Sequence, residues 1–231
     1  MESPLRFGLW LCLCVSLSMV SLCAADLSHK SIKLQNNCSF PVWPGISSWN
    51  THEYDIPAGF RPLLKSGESY SIVFAMSWQG SIWGRYGCSF NRSELGFCRS
   101  GDCGGNLRCE KASAQQKIST PITQAVFMNG SCSVDLQSGY NLPISVSPVL
   151  KQCGSQACGA YVGAICPKNL QMMWKNEVIG CKGECNAYMR TCSPPAFESA
   201  FKKTCPNVFP FQEQVWCFSS TNYTLTFCPP Q

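Results

Sequence analysis

Cysteine content is the feature that most restricts how this chain can fold. The 231 residues include 18 cysteines, far more than cytosolic proteins carry, and in an oxidising compartment such residues pair into disulfides. The group Cys98, Cys103 and Cys109 has spacings that could suggest a metal site. However, the only two histidines, His29 and His52, are far from any cysteine cluster. We therefore expect disulfides, and neither a metal nor another cofactor.

The first 25 residues are predicted to be a signal peptide. An almost entirely apolar run at 9–20 is followed by small residues at 23–25, the pattern of signal-peptidase cleavage. The alternative is a retained membrane anchor, but the run is too short for a convincing transmembrane helix. We expect a secreted, extracellular protein whose mature chain keeps 15 of the 18 cysteines, without Cys12, Cys14 and Cys23.

Charge and composition narrow the classes of partner. The formal net charge is +5, and the chain has neither a basic run nor a nucleic-acid motif, so binding to nucleic acid is not expected. With 45% hydrophobic and 13% charged residues, the chain can bury a sizeable core. Four sequons predict N-glycosylation, although the first contains an expected half-cystine; their asparagines are Asn37, Asn91, Asn129 and Asn222.

Alternation of apolar and polar residues with a period of two predicts a mainly β fold. Ile32 and Leu34 alternate with polar residues near the start of the mature chain, and 223–227 does so near its end. Both segments are typical of half-buried antiparallel strands. Gly, Pro, Asn and Ser separate the other alternating runs, which favours an antiparallel β-sandwich; these runs are 70–74, 122–128, 132–137 and 140–146.

Two regions depart from this pattern. Residues 86–118 are rich in Gly and Cys and predict a small disulfide-stapled lobe. Residues 159–205 contain five cysteines and the one short helical region. Ser193 is the expected cap of that helix, and Phe197 with Phe201 forms an i, i+4 apolar stripe that we interpret as packing.

The segment Gly101-Asp102-Cys103-Gly104-Gly105, followed by Cys109, resembles the signature of thaumatin-like proteins, the fifth group of plant pathogenesis-related proteins. Collinear landmarks extend the resemblance over residues 31–229; they include Asn36-Asn37-Cys38, Ile82-Trp83-Gly84-Arg85, Gly139-Tyr140-Asn141-Leu142-Pro143 and Phe227-Cys228-Pro229.

The resemblance implies a sandwich core, a small lobe, a larger lobe, and a cleft between the sandwich and the larger lobe. The core covers about 26–85, 119–158 and 206–231, the small lobe about 86–118, and the larger lobe about 159–205. It also implies seven disulfides, which are Cys38–Cys228, Cys88–Cys98, Cys103–Cys109, Cys153–Cys217, Cys158–Cys205, Cys166–Cys181 and Cys185–Cys192.

Cys132 is the cysteine that these pairings leave over. It shares an apolar strand face with Val134 and Leu136, so we interpret it as a buried free thiol that packs as a small hydrophobe. The alternative is an intermolecular disulfide.

Members of the family commonly line the cleft with an Arg, a Glu and three Asp, and the Glu and one Asp have been implicated in weak hydrolysis of β-1,3-glucans. In this chain the Arg position is Ser81 and the Glu position is Gln124. Two Asp positions are Ser133 and Ser138, and the last falls near Gln212, Glu213 or Gln214. The cleft is therefore expected to lack most of the acidic residues that catalysis would need.

These observations predict a monomeric, non-catalytic defence protein that binds a polysaccharide or a cell-wall or membrane surface. One alternative is a weak endo-β-1,3-glucanase that uses Asp135 and Glu213, although both are more simply interpreted as solvated surface carboxylates. Another is a protein-interaction or inhibitor role, which an exposed apolar patch would favour; its candidate residues are Trp49, Trp78 and Trp174.

Overall fold

The computed structural model describes residues 29–49, 57–109, 120–128, 130–150, 154–183, 195–208, 215–216 and 222–230. The predicted signal peptide and helix cap at Ser193, Asn129, Glu213, and the expected pairs Cys153–Cys217 and Cys185–Cys192 lie outside these residues. The described chain is mainly β, as predicted.

Thirteen strands and three short helical segments make up the described structure. The strands are β1 (His29–Asn36), β2 (Trp43–Ser48), β3 (Ser69–Ala75), β4 (Gly80–Phe90), β5 (Gly96–Ser100), β6 (Gln124–Met128), β7 (Ser131–Asp135), β8 (Ile144–Pro148), β9 (Gln156–Cys158), β10 (Gln171–Trp174), β11 (Glu177–Cys181), β12 (Val215–Trp216) and β13 (Asn222–Phe227). The helices are α1 (Val162–Ile165), a 3₁₀ turn at Lys168–Leu170, and α2 (Pro195–Thr204).

Two sheets share the main hydrophobic core. One has the order β3-β1-β13-β8-β9. The other has six strands, in the order β12-β7-β6-β4-β2 with β5 paired to β4, while β10 and β11 form a separate hairpin. Side chains alternate between core and surface along each strand, so Ile32 and Leu225 of the first sheet join Phe127 and Val134 of the second in one cluster. This arrangement is the sandwich that the alternation predicted.

The pairing of the two terminal strands differs from the expectation. Each was expected to be an antiparallel strand, and β1 does pair antiparallel with β3 and β13 with β8. The two strands also pair with each other, and this pairing is parallel. Parallel strands end at the same edge of a sheet, and here Asn36 lies opposite Phe227. The half-cystines that follow them are therefore adjacent, and Cys38 and Cys228 are joined.

The segment 140–146 was also predicted too far toward its N-terminus as a strand, since β8 begins only at Ile144. Asn141 is buried and bonds through its side chain: its amide nitrogen donates to Gly84 O at 3.0 Å and its oxygen accepts from the N–H of Thr123 at 2.9 Å. Tyr140 pairs through its backbone with Cys181, and its hydroxyl donates to Ala160 O at 2.5 Å. Tyr140 and Asn141 therefore bond to neighbouring segments of the chain instead of extending the hydrogen-bond ladder of β8.

Helix α2 buries the predicted aromatic stripe. Phe197 and Phe201 are both buried, with ring centroids 4.1 Å apart. Phe201 also packs edge-on against Tyr140 at 4.9 Å. The prediction that this stripe serves packing is confirmed.

Five of the expected disulfides are present in the described residues. They are Cys38–Cys228, Cys88–Cys98, Cys103–Cys109, Cys158–Cys205 and Cys166–Cys181. Cys132 has no disulfide partner and is fully buried. Desolvation raises the pKa of its thiol to about 12, so it stays protonated and unreactive at neutral pH.

A carboxylate organises the glycine-rich signature loop. The side chain of Asp102 accepts hydrogen bonds from the N–H groups of Cys98, Gly104 and Gly105 at 2.9, 3.0 and 2.8 Å. Gly104 and Gly105 both have positive φ, a conformation that costs glycine little and other residues more. The loop is therefore held in one shape by a single side chain.

The buried guanidinium of Arg85 fastens this loop to β4. Its nitrogens donate to the carbonyl oxygens of Asn106, Leu107 and Trp43 at 2.8, 2.6 and 3.1 Å. Burial lowers the pKa of Arg85 to about 10, while the charge of Asp102 opposes that shift. The group therefore remains protonated at neutral pH.

We expect one free thiol per chain, at Cys132, and we expect it to be hidden in the native state. Thiol titration of the non-reduced protein should give almost no signal in buffer and one equivalent in denaturant. A Cys132→Ala variant should give none under either condition. Three or more equivalents in the denatured protein would falsify the disulfide framework.

We expect Arg85→Met to lower the free energy of unfolding by about 3–5 kcal/mol. The substitution leaves buried carbonyl groups without the charged donor to which they are bonded in the parent protein. Equilibrium urea unfolding with intact disulfides measures this loss. The matched control is Arg99→Met, which removes an exposed ion pair with Glu177 at 3.1 Å and should cost less than about 1 kcal/mol. Equal losses in the two variants would contradict this account of Arg85.

Candidate functional site

Strand register brings the expected cleft positions onto one face of the six-stranded sheet. Opposite residues in antiparallel strands share a face. Gln124 lies opposite both Trp83 and Asp135. In the next row Val126 lies between Ser81 and Ser133. We call this surface the polar sheet face; it comprises Ser81, Trp83, Gln124, Val126, Ser133 and Asp135.

The signature loop covers one end of the polar sheet face. The indole N–H of Trp83 donates to Gly101 O at 2.9 Å, and its ring packs with Cys103, Cys109 and Ile122. Gly45 opposite Trp83 leaves room for the indole, since a Cβ there would lie 2.3 Å from the ring. The uncovered part of the face is therefore the part near Asp135 and Ser138.

Exposure increases across the polar sheet face, from a buried floor at Ser81 and Gln124 to an opening at Ser138. Ser81 is fully buried, Gln124 is only 2% exposed, and Ser138 is exposed. Ser133 and Asp135 are partly buried. The Oγ atom of Ser81 has no hydrogen-bond partner in the described part of the chain, so the floor contains an unsatisfied hydroxyl. Buried polar groups are usually paired, and this one is an exception at the position where the family commonly has Arg.

Gln124 and Ser138 form a neutral hydrogen-bonded pair. The Nε2 atom of Gln124 donates to Ser138 Oγ at 3.0 Å. An amide and a hydroxyl keep the hydrogen-bonding capacity of the acidic residues usual in the family, but neither exchanges a proton at physiological pH. The pair can position a polar ligand and cannot supply general acid–base catalysis.

Asp135 is the one carboxylate among the described residues of β2, β4, β6 and β7. Desolvation raises the pKa of this carboxyl, and the hydrogen bond that its Oδ1 accepts from the N–H of Gln137 at 2.7 Å partly opposes the shift. Asp135 is thus partly buried in the sheet face rather than freely solvated, and this burial penalises its charged form. Its proposed partner Glu213 lies outside the described residues.

The aromatic patch expected from the sequence is only partly formed. Trp78 is buried, with its ring 3.9 Å from that of Phe74 and its indole N–H bonded to Ser48. Its inclusion in an exposed patch is therefore wrong. Trp49 and Trp174 are exposed. Trp174 stacks against Phe97, an exposed residue whose position no periodic pattern in the sequence indicated.

Two further features concern metals and membranes. Within the described ranges, His, Cys, Asp and Glu form no group of three that could hold a metal ion. None of the helices in those ranges has both the length and the apolarity to cross a bilayer.

A β-sandwich with a disulfide-stapled loop over a polar sheet face is the architecture implied for thaumatin-like proteins. The profile of the Thaumatin family matches residues 36–229, so this chain belongs to that family. A thaumatin-like protein of Arabidopsis thaliana is 33% identical, covering 88% of this chain and 93% of its own. Pathogenesis-related thaumatin-like protein 3.5 of Cryptomeria japonica is 32% identical, with coverage of 85% and 88%.

Among solved structures, this chain is similar to the thaumatin-like xylanase inhibitor TLXI. It is 20% identical to this chain, with a TM-score of 0.48 and coverage of 86% of this chain and 99% of its own.

The raised pKa of Asp135 predicts a stability that falls as pH rises. A carboxyl whose pKa is higher in the folded state than its unfolded value of about 3.9 binds more protons in the native state. The native state therefore loses stability as pH rises from the unfolded pKa to the folded pKa. Asp135→Asn removes this penalty. In urea unfolding, the variant should gain stability relative to the parent protein between pH 3 and pH 7. Glu198→Gln on α2 is the control, and an advantage of Asp135→Asn that shrinks with rising pH would contradict the prediction.

Proposed function

We propose that this chain is a secreted, non-catalytic defence protein that binds a neutral cell-wall polysaccharide at the polar sheet face. The observation that carries the proposal is the Gln124–Ser138 hydrogen bond of 3.0 Å, formed where the family commonly has two carboxylates. Amide and hydroxyl groups recognise sugar hydroxyls without requiring charge on the ligand.

We expect no hydrolysis of the bound polysaccharide, because the polar sheet face has too few ionisable groups. Glycoside hydrolysis uses one carboxylic acid to protonate the leaving oxygen and a second carboxylate as base or nucleophile, about 5–10 Å apart. Of the strands that form the described face, only β7 supplies a carboxyl group. Binding without hydrolysis is therefore the activity that these residues support.

Secretion is supported by the predicted signal segment and by the disulfides, which persist in oxidising compartments. The role in defence rests on family membership and on relatives that are pathogenesis-related proteins by name.

The alternative enzyme, a weak endo-β-1,3-glucanase, is favoured by one observation. Desolvation raises the pKa of Asp135, and general acids of glycosidases have raised pKa values. Such an enzyme would need Glu213 as the second carboxylate. A protein-binding role is favoured instead by the exposed Phe97–Trp174 pair.

We expect the protein to bind laminarin, a soluble β-1,3-glucan, and to release no reducing ends from it. Isothermal titration calorimetry measures binding, and a reducing-sugar assay measures turnover against a mock-purified control. Gln124→Ala should weaken binding about fivefold or more, because it removes one buried hydrogen bond. The control variant is Ser147→Ala on β8, in the opposite sheet, which should leave affinity unchanged.

The outcomes separate the alternatives. Turnover that is abolished by Asp135→Asn would establish the enzyme. Binding to pectin that weakens as salt rises, with no binding to laminarin, would indicate an anionic ligand, because salt screens charge interactions. No binding to either polymer would contradict the proposal and leave a protein partner as the interpretation.

A further inference from the structure

One face of the hairpin formed by β4 and β5 combines a sequon with exposed apolar side chains. Ser89 lies opposite Phe97, so their side chains share a face. Two residues beyond Ser89, Asn91 meets Leu95: the N–H of Asn91 donates to Leu95 O at 2.9 Å, and the N–H of Leu95 donates to Asn91 Oδ1 at 3.0 Å. Alternation along the strands therefore places Asn91, Leu95 and Phe97 on the same side of the hairpin.

The apolar part of this surface is large for a solvent-facing hairpin. Leu95 is 54% exposed, Phe97 48% and Trp174 39%. The ring of Trp174, from the hairpin of β10 and β11, stacks against that of Phe97 with 6.0 Å between centroids. We call these three residues the hairpin surface. Contiguous exposed apolar residues of this kind mark a surface that another group covers or that promotes aggregation.

Asn91 is presented in a form that suits N-glycosylation. Asn91 is exposed. Its Oδ1 accepts hydrogen bonds from the N–H of Ser93 at 2.9 Å and from the N–H of Leu95. These two bonds fix the amide in an Asx turn. The Nδ2 atom, which carries an N-linked sugar, donates no hydrogen bond within the described residues.

The two other described sequons are also exposed, but both are tied into sheet structure. The N–H of Asn37, directly after β1, donates to Phe227 O at 3.0 Å. The Oδ1 of Asn37 accepts from Gln35 Nε2 at 2.9 Å, and the next residue, Cys38, is a buried half-cystine. Asn222 lies within β13, opposite Ser31 of β1. Asn91 is therefore the described sequon at a turn between strands, where a bulky group meets the least backbone structure.

We propose that Asn91 carries an N-glycan whose inner sugars lie on the hairpin surface and cover it. The bond that forms joins Asn91 Nδ2 to C1 of the first sugar, with loss of one amide proton and departure of the lipid pyrophosphate of the oligosaccharide donor. Successive same-face residues on a strand are about 7 Å apart, so the inner sugars reach Leu95 and Phe97. Sugar hydroxyls then face water, and the apolar ring faces contact the aromatic side chains.

The test uses the full chain expressed from Met1 in insect cells and collected from the medium and the cells. Glycopeptide mass spectrometry should find Asn91 occupied. Ser93→Ala removes the sequon but keeps the backbone N–H that bonds Asn91, so it separates loss of the glycan from loss of the turn. We expect Ser93→Ala to increase binding of the apolar dye ANS at least twofold and to aggregate at lower protein concentration. Adding Phe97→Ser should reverse both effects.

Arg92→Ala, which leaves the sequon intact, is the matched control and should behave as the parent protein. An unmodified Asn91 overturns the proposal, whether the site is skipped or the chain stays outside the secretory pathway. Occupancy without any change of dye binding or aggregation in Ser93→Ala also overturns it, because the glycan then does not cover the hairpin surface. These readouts do not involve laminarin, so their failure is distinct from a failure of polysaccharide binding.

Discussion

The buried cation of Arg85 is the interaction on which the arrangement around the site depends. A desolvated guanidinium is costly unless its donors are satisfied, and here backbone carbonyls of β2 and of the signature loop accept from it. The loop can offer those carbonyls only in the shape that Asp102 imposes through three N–H groups. Cation, carboxylate and glycine-rich loop therefore form one structural unit, although Arg85 and Asp102 form no direct ion pair among the described residues.

That unit decides how much of the sheet face remains available to a ligand. The signature loop lies over Trp83, with a hydrogen bond from the indole to Gly101, and it closes the end of the face that Arg85 occupies. Two strands away from Arg85, Asp135 at the end of β7 is partly buried and Ser138 beyond it is exposed. The opening is therefore bounded by a hydrogen-bonded loop and a paired sheet, so that the proposed ligand would meet a preformed floor at little ordering cost.

The sequence predicted those parts of the structure that depend on side-chain alternation or on family motifs. Ile32, Leu34 and Leu225 are in the core, and the Phe197–Phe201 stripe packs as expected. The parallel pairing of β1 with β13 could not be predicted in this way, because parallel and antiparallel strands alternate alike. Tyr140 and Asn141 bond through side chains, which periodicity does not reveal. Trp78 is buried although it was expected in an exposed patch, since tertiary contacts decide which aromatic residue is buried.

The two candidate surfaces of the molecule differ in a way that bears on what each can bind. The polar sheet face is neutral apart from Asp135, and its recessed hydrogen-bonding groups favour a ligand that supplies many hydroxyls. The hairpin surface is apolar and open, and a glycan on Asn91 would occupy it from the protein's own chain. With that glycan in place, the exposed Phe97–Trp174 pair is covered without a protein partner. The observation that favoured a protein-binding role then becomes an observation about solubility, and the recessed neutral floor is left as the surface that meets a foreign polymer.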